Sequence, residues 1–213
     1  DSIARQYKAN VITHTRVASV DAAAKTVTTQ DGGCAAYDKI LVTTGATAFV
    51  PGSFASLKGA FCMRTVDDAV KLHDAIAKRD YKDAVIVGAS MVGIKVAELL
   101  HKRGCHVTLA DMAPHIFALA AYPEVSEMIE ARLEKMGIDM VFGKAIAGAV
   151  EHTDAGGNIT GTTVQLADGS AIETELLVLN IGTRAATGIL DPQQIHIERG
   201  IVVDERMRTS AEG

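Results

Sequence analysis

Tryptophan is absent from the 213 residues, and there are only four tyrosines and five phenylalanines. Proline is scarce at four, and cysteine scarcer still: Cys34, Cys62 and Cys105. An odd cysteine count with no Cys-x-x-Cys pair excludes a disulfide-stapled scaffold and points to the reducing cytoplasm. Long apolar runs are also missing. The stretch 116–121 is among the longest and falls far short of the roughly 18 residues of a membrane span. Asp1 opens a polar segment with no apolar run behind it, so no secretory leader is expected. A strong charge bias is lacking too. The formal net charge of −5 gives no general electrostatic reason to bind nucleic acid or a membrane surface.

Glycine is plentiful, with 19 residues in a chain that is 48% hydrophobic and 22% charged. That is an ordinary globular composition, and the length suits one large domain or two small ones. Residues 10–20 and 25–30 alternate β-branched and polar side chains, which predicts two strands around the Asp31-Gly32-Gly33 turn. Residues 38–43 form a short apolar strand running into Thr44-Gly45. Thr65 with Asp68 predicts a capping box opening a helix to about residue 79.

Residues 84–87 form an uninterrupted apolar run, as expected of a strand buried on both faces. A helix over 91–103 follows, closed by Gly104. Strand 107–110, helix 123–136 and strand 138–142 complete a β-α-β-α-β order, which predicts a parallel sheet with right-handed crossovers. Residues 146–166 read as antiparallel strands around a turn at 154–158, and 175–181 as a last apolar strand.

Two stretches share one plan. Lys25-Thr26-Val27-Thr28, Asp31-Gly32 and the run 37–45 are matched by Thr162-Thr163-Val164-Gln165, Asp168-Gly169 and the run 173–182. Each is a small meander, an Asp-Gly turn and an apolar strand closing on glycine, as two tandem nucleotide-binding folds would give. In the second copy, Gly182 follows the glycine turn at Gly88 by 94 positions. An equivalent turn for Gly45 would fall about 50 residues before Asp1 if the halves are alike. The chain is therefore expected to be a fragment.

The strongest local motif is Gly88-Ala89-Ser90-Met91-Val92-Gly93, set between a strand and a helix. Gly88 provides the tight turn, Gly93 allows close packing of helix on strand, and the helix N-terminus suits a pyrophosphate. Ser90 replaces the middle glycine of the usual pattern and offers a hydroxyl to a phosphate oxygen. Asp111, 23 positions after Gly88, ends the next strand, where a carboxylate accepts hydrogen bonds from an adenosine ribose. No Lys or Arg lies between Arg103 and Arg132 to neutralise it, so NAD(H) is expected over NADP(H).

With these residues in place, the chain resembles the FAD-dependent pyridine nucleotide-disulfide oxidoreductases, closest to the NADH oxidase, coenzyme A-disulfide reductase and ferredoxin reductase branches. The resemblance rests on four segments in family order: Tyr37-Asp38-Lys39-Ile40-Leu41-Val42-Thr43-Thr44-Gly45-Ala46, the 88–93 turn, Ile181-Gly182-Thr183-Arg184, and the segment 200–210. It covers nearly the whole chain. It implies an α/β fold, a Rossmann-like parallel sheet with an antiparallel β-meander. Residues 51–184 would form the NAD(H)-binding domain, and 1–50 and 185–213 would be pieces of an FAD domain. Thr44, Gly45, Ile181 and Gly182 join the turn as implied cofactor-binding residues.

The implied activity is hydride transfer from NADH to FAD and onward to a disulfide, to oxygen or peroxide, or to an electron-carrier protein. A homodimer is compatible with the resemblance. Two positions depart from the family pattern: Lys95 stands where it usually has Glu, and Arg184-Ala185-Ala186 where a proline usually follows. These departures support the alternative, a regulatory Rossmann module that binds a nucleotide without redox turnover. No catalytic side chain and no metal site is assigned, and His101, Cys105 and His106 read as scattered surface or packing residues.

Overall fold

A computed structural model describes residues 2–213. The chain divides into two compact units, one made of residues up to Thr47 and from Arg184 onward, the other of Ala48–Thr183. In the first, helix α1 (Ser2–Tyr7) precedes strands β1 (Val17–Asp21), β2 (Thr26–Thr29) and β3 (Cys34–Ala36). They form an antiparallel meander in the order β1-β2-β3. Val20, Leu190 and Ile195 make the buried centre of this unit, with Val17, Val27, Tyr37 and Ile40 packed against them.

Two expectations for this unit are corrected. The strand expected over 10–20 begins only at Val17; before it the ladder continues just to Arg16, whose carbonyl accepts from Gln30 N–H at 2.8 Å. The apolar segment 38–43 is not a strand at all. A buried parallel strand needs ladder partners, and among the described residues none runs beside it. Leu41 is 82% exposed, and an open cavity of about 750 Å³ lies along Ile40, Leu41 and Val42. Hydrophobicity alone does not make a strand where there is no hydrogen-bonding neighbour.

The chain leaves this unit within β4 (Ala46–Ala48). In the second unit, a short strand β5 (Ala60–Cys62), not foreseen from the sequence, leads to α2 (Val66–Lys78). There follow β6 (Asp83–Val87), α3 (Met91–His101), β7 (His106–Ala110), α4 (Pro123–Lys135) and β8 (Asp139–Val141). The antiparallel meander β9 (Ile146–Thr153), β10 (Ile159–Leu166) and β11 (Ala171–Thr174) comes next, then β12 (Leu176–Leu179). Strand β13 (Thr183–Ala185) takes the chain back. The central sheet is parallel, in the order β5-β12-β6-β7-β8. The expected α/β architecture, a Rossmann-like parallel sheet with an antiparallel meander, is present.

The layering explains the unbroken apolar strands. On one face, Ala84, Ile86, Val107, Leu109, Leu176 and Val178 meet Leu72 of α2, Val96, Ala97 and Leu100 of α3, and Leu133 of α4. On the other, Val85, Val87, Leu177 and Leu179 meet Val164 of the meander and Phe54. With both faces covered, alternation is lost and the runs 84–87 and 176–179 are apolar throughout. Each large side chain so buried contributes about 1.5–3 kcal/mol.

Helix ends follow the local chemistry. The Thr65 hydroxyl accepts from Asp68 N–H at 3.2 Å and the Asp68 carboxylate accepts from Thr65 N–H at 2.8 Å, the capping box that opens α2. Helix α3 stops at His101, two residues short of expectation. Gly104 N–H bonds to His101 C=O and Cys105 N–H to Leu100 C=O, with Gly104 at φ +85°. This left-handed closure uses up the last carbonyls and ends the helix there. Gly137 closes α4 in the same way. The two repeat copies share a three-stranded meander, but only the second has its closing run paired, as β12 between β5 and β6.

Candidate functional site

At its carboxyl end, β6 turns sharply into α3. Gly88 takes φ +108°, a conformation that side chains rarely adopt, and its N–H donates to Ala110 C=O at 2.8 Å. A Cβ on Gly88 would overlap the Asn180 carbonyl, so β12 approaches the turn backbone to backbone. A Cβ on the buried Gly93 would overlap the Gly88 carbonyl, so the helix sits directly on the turn. Both glycines are thus required by close approach.

Ser90 is the N-cap of α3, and its Oγ accepts from Gly93 N–H at 3.3 Å. The other N–H groups of a helix's opening turn have no intrahelical acceptor, and the macrodipole adds partial positive charge there. The Ser90 hydroxyl hydrogen stays available to an outside acceptor. Met91 and Val92 expose their side chains on this first turn.

Asp111 follows β7. Its Oδ2 accepts from Ala89 N–H at 2.7 Å and its Oδ1 from Ala113 N–H at 2.9 Å. The carboxylate is therefore braced against the glycine turn, and each oxygen retains capacity for one more hydrogen bond. The loop beyond it is anchored by groups that carry no recognisable pattern in the sequence. Ile116 is fully buried, its N–H donates to Glu130 at 2.9 Å, and its carbonyl accepts from Ser126 Oγ at 2.7 Å.

The third wall is the end of β12. Asn180 N–H donates to Val87 C=O at 2.7 Å, continuing the ladder one residue past the strand. Its side chain is buried, and neither amide atom has a hydrogen-bond partner among the described residues. Leaving such a group unpaired costs about 1–3 kcal/mol. Asn180 matches no motif, and its one signal in the sequence is a polar residue closing a Leu-Leu-Val-Leu run. Ile181 turns its side chain into the core beside the meander. Gly182 has φ +100° and open space where a Cβ would be, and its carbonyl accepts from Phe49 N–H at 3.0 Å.

The structure thus brings together Gly88, Ala89, Ser90, Gly93, Asp111 and the 180–182 segment at one sheet edge. Thr44 and Gly45 belong to the other unit, where the Thr44 hydroxyl donates to Ala186 C=O at 2.7 Å and Gly45 C=O accepts from Ala186 N–H at 2.9 Å. Lys95 pairs with Glu98 at 2.8 Å, and Lys102 joins them. Hydrogen bonds from Lys102 and then Lys95 pull the Glu98 carboxyl down to about 2.

A turn cradle that no Cβ can enter, a helix N-terminus, a braced carboxylate on the neighbouring strand and an unsatisfied buried amide on the other fit a dinucleotide lying across the sheet edge. Its pyrophosphate would be at the turn. This is the crevice where the strand order reverses in open α/β sheets.

The sequence profile of the pyridine nucleotide-disulphide oxidoreductases matches residues 2–213. The chain belongs to this family. It is 33% identical over 183 residues to the NADH-dependent phenylglyoxylate dehydrogenase subunit epsilon of Aromatoleum evansii, covering 85% of this chain and 42% of that one. It is 32% identical over 208 residues to a nitric oxide reductase FlRd-NAD(+) reductase of Escherichia coli, covering 97% of this chain and 52% of that one. The ferredoxin reductase for the CYP199A2 system from Rhodopseudomonas palustris has the same fold, with TM-score 0.84 at 24% identity, over 100% of this chain and 51% of that one. The chain spans about half the length of the curated relatives it matches. Among its described residues, no helix is long and apolar enough to cross a membrane.

Proposed function

We propose that the chain is the nucleotide-binding part of an NADH-dependent flavoprotein oxidoreductase. In this reading, residues 51–184 bind NAD(H), and residues 1–50 and 185–213 contribute to a flavin-binding domain. The observation that carries it is the 88–93 turn with its glycines in forced contact and Asp111 hydrogen-bonded across to Ala89. Family membership and two relatives whose names specify NADH or NAD(+) support it.

Each residue has a defined task. Gly88 and Gly93 bring backbone to the pyrophosphate, and the α3 N-terminus with the Ser90 hydroxyl binds its oxygens. Met91 and Val92 form the surface of the turn, the buried Ala89 ties it to Asp111 through its N–H, and Asp111 accepts from the adenosine ribose and repels a 2′-phosphate. Gly182 leaves room for the ligand beside β12. NADH held at this turn would supply hydride-transfer chemistry, and FAD in the holoprotein would supply the onward electron transfer. The protein's part is to hold and orient.

The first unit has no strand–glycine turn–helix among its described residues, so these residues alone make no pyrophosphate cradle for FAD. Thr44 and Gly45 serve there by bracing Ala186. An electron-carrier protein is the acceptor we favour, on the name of the nitric oxide reductase FlRd-NAD(+) reductase. Burial pushes the Cys62 and Cys105 thiols up, which makes them poor thiolates. We place the enzyme in the cytoplasm on its cysteine usage. Lys95, one of the two departures that support a non-redox module, is paired with Glu98, a carboxylate that Lys102 shares.

The test is dye reduction by the longer flavin-loaded protein. Turnover with NADH, and far less with NADPH, is the expected result. Tight NADH binding without turnover for any acceptor would overturn the redox assignment.

A further inference from the structure

We propose that the Asn180 carboxamide is a ligand for the nicotinamide riboside half of bound NADH. The proposal rests on the dinucleotide reading above and adds to it a side chain and a part of the ligand.

The position follows from the sheet. Leu176 and Val178 face the helix layer, while Leu177 and Leu179 face the meander. Since Asn180 continues the ladder to Val87, alternation puts its side chain on the helix face. Helices α2 and α3 begin at that carboxyl edge. Asn180 is 9% exposed, and both amide atoms are buried without a partner among the described residues. Its backbone adjoins the phosphate turn, where a Cβ on Gly88 would meet Asn180 C=O and lie 3.2 Å from Ile181 N.

The direction of the ligand follows from the strand order β12-β6-β7. With the adenosine ribose at Asp111 after β7 and the pyrophosphate at Gly88 after β6, the remaining nicotinamide riboside lies over the end of β12. Gly182, two residues beyond Asn180, has open space on its Cβ side. Among the described residues the carboxamide has no hydrogen bond to give up when a ligand arrives.

Its chemistry selects the ligand group. An amide offers both donors and an acceptor. Ribosyl hydroxyls and the nicotinamide carboxamide match both roles, whereas a pyrophosphate only accepts. An apolar residue would fill the same space with no unsatisfied group, so the polar choice is explained by a ligand that completes it.

The experiment compares NADH with ADP, which lacks the nicotinamide riboside, by calorimetric titration of the full chain and of its Asn180→Ala and Asn180→Leu variants. Thermal unfolding without ligand is recorded alongside. We expect both variants to bind NADH about tenfold more weakly, the effect of one lost hydrogen bond, and to bind ADP as the unaltered chain does. Asn180→Leu, which removes the unsatisfied atoms at similar volume, should unfold at the same temperature or higher. Unchanged NADH affinity in the folded variants would overturn the proposal. So would equal weakening for both ligands, which would mean that the amide acts through the turn. Failure of the unaltered chain to bind either ligand would overturn the dinucleotide reading, and the proposal with it.

Discussion

Gly93 lies under the Gly88 carbonyl so closely that one methyl group would collide with it. Neither partner is a flexible side chain, so the collision has to be relieved by moving backbone. Gly93→Ala should therefore destabilise the chain by about 1–3 kcal/mol. At about 2–4 °C per kcal/mol for a chain of this size, calorimetry will read a lowered Tm, and NADH binding should fall with it. Asp111 braces Ala89 N–H, and in the proposed reading its negative charge would also lie beside the ribose. Asp111→Asn removes the charge while keeping an acceptor oxygen. The ratio of NADPH to NADH affinity should rise by about tenfold or more once the repulsion of the 2′-phosphate is gone. A ratio unmoved in titrations of both nucleotides would show that Asp111 does not sit at the ribose.

At the scale of elements, the capping box of α2 is the simplest test. Thr65→Ala should cost about 1 kcal/mol in chemical denaturation. Burial raises the Asp68 carboxyl, but hydrogen bonds from Thr65 and Arg64 outweigh it and leave the group below its ordinary value. A lowered folded value means a contribution present above the unfolded carboxyl range and lost as pH falls through the folded one. The Asp68→Asn variant should thus lose stability relative to the unaltered chain at neutral pH, with the difference closing in acid. Glu98, held at about 2 by Lys102 and Lys95, should stay ionised when free carboxylates protonate, and an NMR pH titration of its side chain reads this directly.

Helices were legible in the sequence because period, caps and closing glycines are local: Thr65, Pro123, Gly104 and Gly137 all mark real ends. Strand 84–87 was legible because a sheet covered on both faces leaves an unbroken apolar run. Segment 38–43 carries the same apolar signal without the neighbours that make a strand, and three-residue β5 is too short to announce itself. At the site, the glycines and Asp111 were readable from spacing. Asn180 was not, because its significance is the lack of any partner, which only the packed structure reveals.

For the whole molecule, the two units differ in how completely they are covered. The parallel sheet of Ala48–Thr183 has apolar layers on both faces, whereas residues 38–43 of the other unit lack ladder partners and expose Leu41. Backbone without ladder hydrogen bonds opens at lower free energy. Limited proteolysis should therefore cut near 38–43 well before it cuts β6, β7 or β12, as mass spectrometry of the first fragments will show. Dinucleotide binding at the 88–93 turn is the central claim. Amide chemical shifts followed as NADH is titrated into the chain test this directly. Saturable changes concentrated at residues 88–93, 111–113 and 180–182 are expected. Changes confined to the groove along Ile40–Val42, or none at millimolar NADH, would contradict it.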